Sequence, residues 1–574
     1  MGGNAKPDTT GRFLTVCAFL VAAFTLFAGL GKLALMEPDE ERNAEVAREM
    51  KTSGAWLIPT YDGLPYLDKP AFYFKAVALS FAAFGETRAA ARLPSAVFGL
   101  ALLTLLFRFC RRVYNDRCAA LAVLVAATSP LYIAFSRLVI MDMTLAFFIC
   151  AAVFAGFCAE EDQAHRSRWY ILSAASAGLA TLVKGPVGFI LPALVLGVFN
   201  WLGHRRGWLK RLFAPLNLLV FFAITLPWFL GVMCAHPDFW RYGIVEESFH
   251  RFTTTQFRRT GPVYYYIPWL IAGCFAWSVL VPESIVAAWK TRKQLSRADR
   301  LFIVWSVVTL VFFTISQSKR PDYVLTVVVA LAALTARIFD LALAQGNGRA
   351  ARLVLRTTAA LALVSAVGAA LLTLSVIKPG TMEYLLHIRG EEFRWLPPTY
   401  APVAGGLILV ALIAAAACWL KNLHVALAGF VLLPLVLLTV GFHGLARYAY
   451  ARSSEPMVNR IPALPPDTEI VCLRCFRTGI PFYLKRCVTI VSDDGKEFTS
   501  NYIMFALKKT ESRPVNIVPP AQFDHWLAAR DHPVYLIAHR TSGEMLQSIA
   551  ATRGATVTEL EPTWWGALLP AAPR

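Results

Sequence analysis

About thirteen apolar runs dominate this chain, and each is near the twenty or so residues that a helix needs to cross a bilayer. Hydrophobic residues occupy 57% of the 574 positions, charged residues only 16%, and the mean hydropathy is +0.52. Soluble proteins carry about 25% charged residues, so the composition excludes that class and predicts a polytopic α-helical membrane protein. The runs lie near residues 13–35, 89–107, 118–135, 140–158, 169–183, 185–202, 213–233, 264–288, 301–316, 322–342, 353–377, 400–419 and 423–442.

The loops between these runs alternate in charge. One set is short and basic, as in Arg108–Arg117, His204–Arg211 and Lys290–Arg300, and the positive-inside rule assigns it to the cytoplasm. The other set would face the opposite side, with the N-terminus cytoplasmic and the C-terminus outside. The net charge of +19 is explained by topology and by anionic membrane lipid. A nucleic-acid partner is not expected, because the basic residues are scattered among apolar runs.

The chain divides near residue 443, where the composition changes. We predict a transmembrane region over residues 1–442 with outer loops 36–88 and 234–266, followed by a small α/β domain over 443–574 outside the membrane. Cys472 and Cys475 form a CxxC that is either a disulfide or, as we favour, two unrelated cysteines. The predicted strands are Glu469–Leu473, Val488–Val491 and Val534–Ile537, with helices around 522–529 and 544–551.

The outer loops hold nearly all of the unusual polar residues. Met36–Lys75 is an acidic and aromatic segment that directly follows the first apolar run, and carboxylates next to hydrocarbon indicate a functional site by default. Topology would bring residues that are distant in sequence to one cleft, where cations bind a phosphate headgroup and a carboxylate acts as a base or orients an acceptor. The candidates are Glu37, Asp39, Glu40, Asp68, Lys69, Arg137, Asp142, Lys184, His250, Arg258, Arg259, Lys319, Arg320 and Tyr323.

Several candidates have a simpler structural alternative. Asp142 would also suit a helix N-cap, and Lys184 would suit a lysine that snorkels to the membrane interface. Tyr264–Tyr266 would suit an interfacial aromatic belt, which we favour. His250 is a metal ligand, a base or a hydrogen-bonded loop histidine.

The long opening pattern resembles the bacterial branch of the protein-mannosyltransferase-like family, in the GT-C class of glycosyltransferases. A spaced set of this length has a low chance probability, and the resemblance covers the chain to roughly residue 340. The matching residues are Pro38-Asp39-Glu40, Arg42, Glu45, Met50, Gly54, Trp56, Pro59, Gly63, Tyr66, Lys69-Pro70, Gly85, Ala91–Ser95, Ser136-Arg137, Asp142, Lys184–Pro186 and Ser318–Tyr323.

Within that family the chain looks like the aminoarabinose transferases of Gram-negative bacteria. The resemblance implies an inner-membrane enzyme with about thirteen helices and a periplasmic C-terminal domain. It would move 4-amino-4-deoxy-L-arabinose from undecaprenyl phosphate to the phosphates of lipid A and so confer resistance to polymyxins and cationic peptides. The family often has K-L-x-x-Y and prolines at Lys319, where this chain reads KRPDYVLTVVV.

The resemblance also implies roles for particular side chains. Asp39 is the expected key carboxylate, with Asp142 and Glu40 as further catalytic candidates. The expected substrate-binding residues are Tyr66, Lys69, Arg137, Lys184, Arg258, Arg259, Lys319, Arg320 and Tyr323. No cofactor is required, although a divalent metal, with His250 as a candidate ligand, is left open. The rival readings are transfer of mannose or another sugar to protein or glycan, a lipid transporter, and a structural membrane protein.

Overall fold

A computed structural model of the chain describes residues 9–250, 260–290, 292–346, 348–385, 396–509 and 514–571. It consists of two compact units. The first, here called the helical unit, comprises residues up to 30, 92–227 and 248–448, and the second, the α/β unit, comprises residues 31–91, 228–247 and 449–574.

Helices account for most of the described chain. In chain order they are α1 (Thr9–Phe27), α2 (Asp39–Ser53), α3 (Phe72–Phe84), α4 (Arg88–Val113), α5 (Asp116–Ala127), α6 (Pro130–Ser136), α7 (Asp142–Glu161), α8 (Arg166–Lys184), α9 (Val187–Leu202), α10 (Trp208–Leu212), α11 (Pro215–Ala235), α12 (Tyr266–Gly273), α13 (Val281–Lys290), α14 (Arg297–Ile315), α15 (Leu325–Gln345), α16 (Arg349–Ile377), α17 (Thr381–Leu385), α18 (Pro397–Leu420), α19 (Leu423–Val440), α20 (Phe442–Ala451), α21 (Glu455–Val458), α22 (Ile480–Leu484), α23 (Asn501–Leu507), α24 (Phe523–Ala528) and α25 (Gly543–Thr552). A π-helix spans Arg241–His250, and 3₁₀ turns precede α13 (Trp277–Leu280) and α15 (Pro321–Val324).

Every predicted apolar run contains helix, and the chain is a polytopic membrane protein. Within the described residues, eight helices are long and apolar enough to cross a membrane, or ten if two bent pairs each count as one span. The pairs are α5 with α6, bent by 71°, and α12 with the segment Trp277–Val286, bent by 114°. The remaining predicted spans fall on shorter or partly basic helices such as α1, α8 and α9. The count of thirteen spans therefore stays a prediction.

Close packing between apolar helices holds the helical unit together. Helix α7 packs on α8 and α9, and α5 packs on α1 and α15. Phe109 and Phe154 stack with ring centroids 4.0 Å apart, and Trp305 packs edge-on against Phe154 at 5.6 Å. Gly156 lies so close to Leu196 that a Cβ there would overlap the leucine side chain. Close packing, rather than the removal of apolar surface from water, selects how these helices associate, because lipid tails are as apolar as leucine.

The α/β unit contains a six-stranded mixed sheet. Its strands are β3 (Glu469–Leu473), β4 (Thr489–Val491), β5 (Ile517–Val518), β6 (Val534–His539), β7 (Val557–Glu561) and β8 (Trp564–Leu569), in the order β5-β4-β3-β6-β8-β7. Strands β3, β4, β5 and β6 are parallel, and β8 pairs antiparallel with β6 and β7. The two-residue strands β1 (Thr60–Tyr61) and β2 (Leu64–Pro65) form a separate hairpin.

The predicted strands and helices of this sheet agree with the structure to within two residues. Strand β3 is central and almost wholly buried, as expected for a continuous apolar run in a parallel sheet. Phe523 on α24 and Leu546 on α25 pack against Val471 and Leu536 in the core beside the sheet. Cys472 and Cys475 are both buried and unbonded, which agrees with the interpretation as unrelated cysteines.

Helix α2 is unusual because it is strongly charged and nonetheless almost completely buried. Its sequence is DEERNAEVAREMKTS, and the residues from Glu40 to Met50 are all buried. Burying charge is costly unless each group is paired or hydrogen-bonded. The side chains that pair with α2 therefore determine how this helix is held.

Candidate active site

The helical unit contains a buried cluster of paired charges at the ends of three helices. Lys184, the last residue of α8, donates a hydrogen bond from Nζ to Asp322 Oδ2 at 2.8 Å and also pairs with Asp142, the first residue of α7. Arg320 donates from Nε to the other oxygen of Asp322 at 2.8 Å. The Lys184 ammonium lies 5.2 Å from the centre of the Tyr323 ring. Four of the predicted residues, Asp142, Lys184, Arg320 and Tyr323, therefore meet around one buried carboxylate.

This geometry contradicts two of the structural alternatives. The residue that caps α7 is Met141, without a side-chain cap bond, and Asp142 turns to Lys184 instead. Lys184 does not snorkel, because its side chain is only 12% exposed and lies between two carboxylates. Asp322 was not among the candidates from the sequence, although it lies inside the matching segment Ser318–Tyr323. Its central role depends on a contact with Lys184 across 138 positions.

Two predicted substrate cations instead bind helix ends. Arg137 donates to the carbonyl oxygens of Thr25 and Ala28 at 2.8 and 2.7 Å, next to the last turn of α1. Burial, together with nearby Arg92, lowers the pKa of Arg137 to about 10. Lys319 Nζ donates to the carbonyls of Thr314 and Ser316 at 2.9 and 2.6 Å, at the end of α14, and burial lowers its pKa. Both side chains satisfy orphan carbonyls, and a role for either in substrate binding stays a prediction.

In the α/β unit, Asp39 begins α2 and pairs with Arg42 one turn later. Arg42 Nη1 also donates to the Thr499 hydroxyl at 2.8 Å and carbonyl at 3.1 Å, and its guanidinium lies 5.8 Å from the centre of the Tyr66 ring. Burial raises the pKa of Tyr66, so its hydroxyl stays protonated. Asp39 keeps 30% of its side chain exposed, so a substrate can reach this carboxylate. Glu40, by contrast, is buried and accepts the Met36 amide at 3.1 Å.

Lys69 and Asp68 contact the segment 228–247 of the same unit, and Asp68 also contacts the first residues of α23. Lys69 pairs with Glu247. Asp68 accepts the Tyr242 hydroxyl at 2.8 Å and the backbone amides of Asn501 and Tyr502 at 3.2 and 2.7 Å. Asp68 thus accepts hydrogen bonds from three donors, whereas the ammonium of Lys69 forms an ion pair with a carboxylate.

A second pair of carboxylates, Glu37 and Glu41, brackets Asp39. Glu41 is fully buried, and its Oε1 accepts the Ser453 hydroxyl at 2.9 Å and the Ser454 amide at 2.7 Å. Its Oε2 lies 2.6 Å from the Ser454 hydroxyl oxygen. Burial, with the charge of Glu37, raises the pKa of Glu41 to about 8 despite these hydrogen bonds. Glu37 was among the candidates from the sequence but without an assigned role, and Glu41 was not among them, because their partners lie more than 400 positions away.

The raised pKa of Glu41 predicts a pH-dependent stability. Between pH 4.5 and about 8 the folded protein keeps a proton on Glu41 that the unfolded chain releases, so stability falls as pH rises through that window. Glu41→Gln, which cannot ionise, should flatten this fall when thermal unfolding in detergent is followed from pH 5 to 9. The exposed Glu559→Gln is the control, and identical profiles for Glu41→Gln and the wild type would contradict the prediction.

The remaining predicted residues include three whose side chains are not described. Arg258 and Arg259 lie outside the described residues, and so does the side chain of His250. Among the described residues, no group of three or more His, Cys, Asp and Glu side chains is placed to hold a metal ion. Tyr264 is 64% exposed whereas Tyr266 is buried, so only part of the proposed aromatic belt is available to lipid.

Comparison with known proteins supports the resemblance seen in the sequence. The family model described as dolichyl-phosphate-mannose-protein mannosyltransferase matches residues 68–230. An undecaprenyl phosphate-alpha-4-amino-4-deoxy-L-arabinose arabinosyl transferase of Enterobacter sp. (strain 638) is 32% identical over 53% of this chain, and the chain spans only 55% of that relative's length. A second such transferase, from Pseudomonas fluorescens (strain Pf0-1), is 29% identical over 67% of this chain and 73% of its own length.

A solved structure extends the similarity to the whole chain. The crystal structure of ArnT from Cupriavidus metallidurans bound to undecaprenyl phosphate superposes with a TM-score of 0.79 and covers 99% of this chain and 100% of that one, at 24% identity. This chain has the ArnT fold. The predicted resemblance to the aminoarabinose transferases is thereby confirmed, in sequence over about half of the chain and in fold over nearly all of it.

Proposed function

We propose that this chain is an integral membrane glycosyltransferase that moves 4-amino-4-deoxy-L-arabinose from undecaprenyl phosphate to lipid A phosphates. The observation that carries the proposal is the agreement between its relatives, which are named as transferases of this sugar, and the ArnT fold of the whole chain. The reaction takes place at the periplasmic face of the bacterial inner membrane, with the N-terminus in the cytoplasm and the C-terminal domain in the periplasm. Neutralising lipid A phosphates in this way gives resistance to polymyxin and cationic peptides.

The donor headgroup is bound through cations. Lys69 contacts the donor phosphate by exchanging its carboxylate partner, Glu247, for phosphate oxygens. The charge that develops on the departing phosphate is stabilised by the same ammonium. Support for this role comes from the place of Lys69 in the matching Lys69-Pro70 motif and from the crystal structure of ArnT, in which that protein is bound to undecaprenyl phosphate.

The transfer step needs little proton chemistry when the acceptor is a phosphate. An ionised phosphate oxygen of lipid A attacks the anomeric carbon of the sugar, the bond from that carbon to the donor phosphate breaks, and undecaprenyl phosphate leaves as an anion. Asp39 stabilises the oxocarbenium-like centre or contacts the sugar amine, for which its partly exposed carboxylate is suited. Lys184 holds Asp142 and Asp322 in place, and we assign to this cluster the orientation of Tyr323 and Arg320.

Mass spectrometry of lipid A tests the proposed function. The host is a Gram-negative strain that lacks its own aminoarabinose transferase but makes the donor lipid. We expect a mass increase of one or two aminopentoses in cells that express this chain and none in cells with the empty vector. Unchanged lipid A, with the protein present in the membrane, would refute the assignment of sugar and acceptor.

A second candidate is transfer of mannose or another polyprenyl-linked sugar to protein or glycan. The match of residues 68–230 to a family model named for protein mannosyltransfer favours it. Modified periplasmic glycoproteins together with unmodified lipid A would identify this activity.

Replacement of Lys69 tests the donor site directly. Lys69→Ala should weaken binding of undecaprenyl phosphate by about 10–100-fold, the value of one charge-assisted hydrogen bond, when the purified protein is titrated in detergent. Glu247→Gln removes the competing carboxylate and should leave the affinity equal or higher. Lys485→Ala, at a lysine whose side chain is 60% exposed, is the control. Unchanged affinity in Lys69→Ala would refute the role of Lys69.

A further inference from the structure

The acid pair, Glu37 and Glu41, lies two positions on either side of Asp39, and both members are held by the C-terminal domain. The hydroxyl oxygen of Ser454 lies 2.6 Å from Glu41 Oε2 and 3.2 Å from Glu37 Oε1. Thr478 contacts both as well, because its amide donates to Glu37 at 3.1 Å and its hydroxyl donates to Glu41 at 3.3 Å. Two residues that are 24 positions apart thus each contact the glutamate before and the glutamate after Asp39, at the start of α2.

The protons of this network can be counted. The Ser454 hydroxyl has one proton and two carboxylate neighbours, so it cannot satisfy both by itself. With the pKa of Glu41 near 8, Glu41 is protonated at neutral pH and supplies the second proton. Glu37 accepts a hydrogen bond from Arg477 Nε at 3.0 Å, and Arg477 also donates from Nη1 to Glu561 Oε2 at 2.6 Å. All four carboxyl oxygens of the acid pair therefore have hydrogen-bond partners, and a buried polar network that is fully satisfied is rigid.

The network occupies a place where α/β sheets usually hold a ligand. Arg477 and Thr478 follow the carboxyl end of β3, which has parallel neighbours on both sides, and ligands of open α/β sheets bind outside such strand ends. In this protein the carboxyl groups of Glu37 and Glu41 lie at that end of β3. Gly479 makes the approach possible, since a Cβ at that position would overlap the Glu41 carboxyl group.

We propose that the C-terminal domain positions the catalytic carboxylate. Ser454 and Thr478 bind the acid pair through hydrogen bonds, and Gly479 allows the close approach of Glu41. These contacts fix the first turn of α2, from which Asp39 projects. The inference rests on the proposed function, since it gives Asp39 a reaction to serve. Further contacts support the same turn, because Arg42, the ion-pair partner of Asp39, donates to Thr499 of the same domain. These are positioning residues, which act on the substrate only through Asp39.

The test compares two alanine variants of buried serines in one domain. Ser454→Ala removes the shared hydroxyl of the acid pair, and Ser542→Ala removes a hydroxyl that donates to the Leu473 carbonyl at 2.6 Å. Misplacement of a catalytic group by about 1 Å can cost about 100-fold, so we expect Ser454→Ala to lower kcat by about 10–100-fold. The KM for the donor lipid and the thermal midpoint should stay close to those of Ser542→Ala. Ser454→Thr, which keeps the hydroxyl, should restore most of the activity.

A loss of kcat shared equally by Ser542→Ala, or an unchanged kcat in Ser454→Ala, would overturn the inference. If Ser454→Ala does not fold, Gly479→Ala displaces Glu41 from the opposite side and should give the same kcat loss at unchanged KM.

A readout without activity separates failure of this inference from failure of the proposed function. The amides of Glu40 and Arg42, which donate to the carbonyls of Met36 and Pro38 at 3.2 and 3.3 Å, should exchange hydrogen faster in Ser454→Ala than in the wild type. Exchange in the rest of α2 should stay unchanged. If Ser454→Ala loses protection at these two amides while the folded wild-type protein transfers no sugar, only the proposed function is refuted. Unchanged protection would refute the positioning role.

Discussion

Asp39→Asn should lower transfer to lipid A by about 10²–10³-fold while leaving the protein folded in the membrane, because it removes the charge expected to stabilise the transition state. The substitution preserves the size of the side chain. It leaves Arg42 with its two bonds to Thr499, so the local structure keeps most of its contacts. The measurement is the rate of aminopentose transfer with purified protein, donor lipid and lipid A.

The control for Asp39→Asn is the same change at an exposed carboxylate of the same unit. Asp493 is 67% exposed and pairs with Arg474 at 3.3 Å, so Asp493→Asn should retain full activity. A fully active Asp39→Asn would remove Asp39 from the reaction. A loss that is matched by Asp493→Asn would trace the effect to the folding of the purified protein instead.

Lys184→Met should destabilise the helical unit by about 3–5 kcal/mol, the usual cost of removing one partner from a buried ion pair. Lys184 lies between Asp142 and Asp322, so its loss leaves two neighbouring carboxylates facing one another. Arg320 still neutralises Asp322, and Asp142 bears most of the cost. The measurement is the thermal midpoint in detergent, together with the fraction of protein that reaches the membrane.

A paired substitution distinguishes lost charge balance from lost packing. Lys184→Met with Asp142→Asn removes one charge of each sign and should recover a large part of the stability lost in Lys184→Met. Lys210→Met, at an exposed lysine, is the control and should change the midpoint little. Equal destabilisation in the single and double variants would show that Lys184 acts by packing rather than by charge.

The helices of this chain and its central strand β3 could be predicted from composition and hydrophobic pattern. Apolar runs placed the helices because a membrane span needs a long apolar segment, and all thirteen runs contain helix. Strand β3 was predicted at Glu469–Leu473, which are its observed bounds, because a short β-branched run with turn signals on both sides has few other solutions. The spaced motif pointed to Asp39, Lys69, Asp142 and Lys184, since it records residue types at intervals along the chain.

The sequence pattern did not predict which side chains that are distant in the chain pair with one another. Lys184 was predicted to bind substrate, yet only the packing of α7, α8 and the turn before α15 shows that it bridges Asp142 and Asp322. Arg137 and Lys319 were counted as headgroup cations, whereas the structure has each of them donating to the carbonyls of a helix end. An isolated cation has the same signature in the sequence whether it will meet a carbonyl, a carboxylate or a ligand.

The sequence alone determined that this chain spans a membrane repeatedly, that strands and helices alternate in its C-terminal part, and that a charged segment follows its first apolar run. These are local properties, set by hydrophobicity, periodicity and spacing. Only the tertiary structure decided that Glu37 and Glu41 accept hydrogen bonds from Ser454 and Thr478, more than 400 positions away. The physical reason is that burial makes each charge depend on a specific partner, and which partner lies within about 3 Å is set by how distant elements pack.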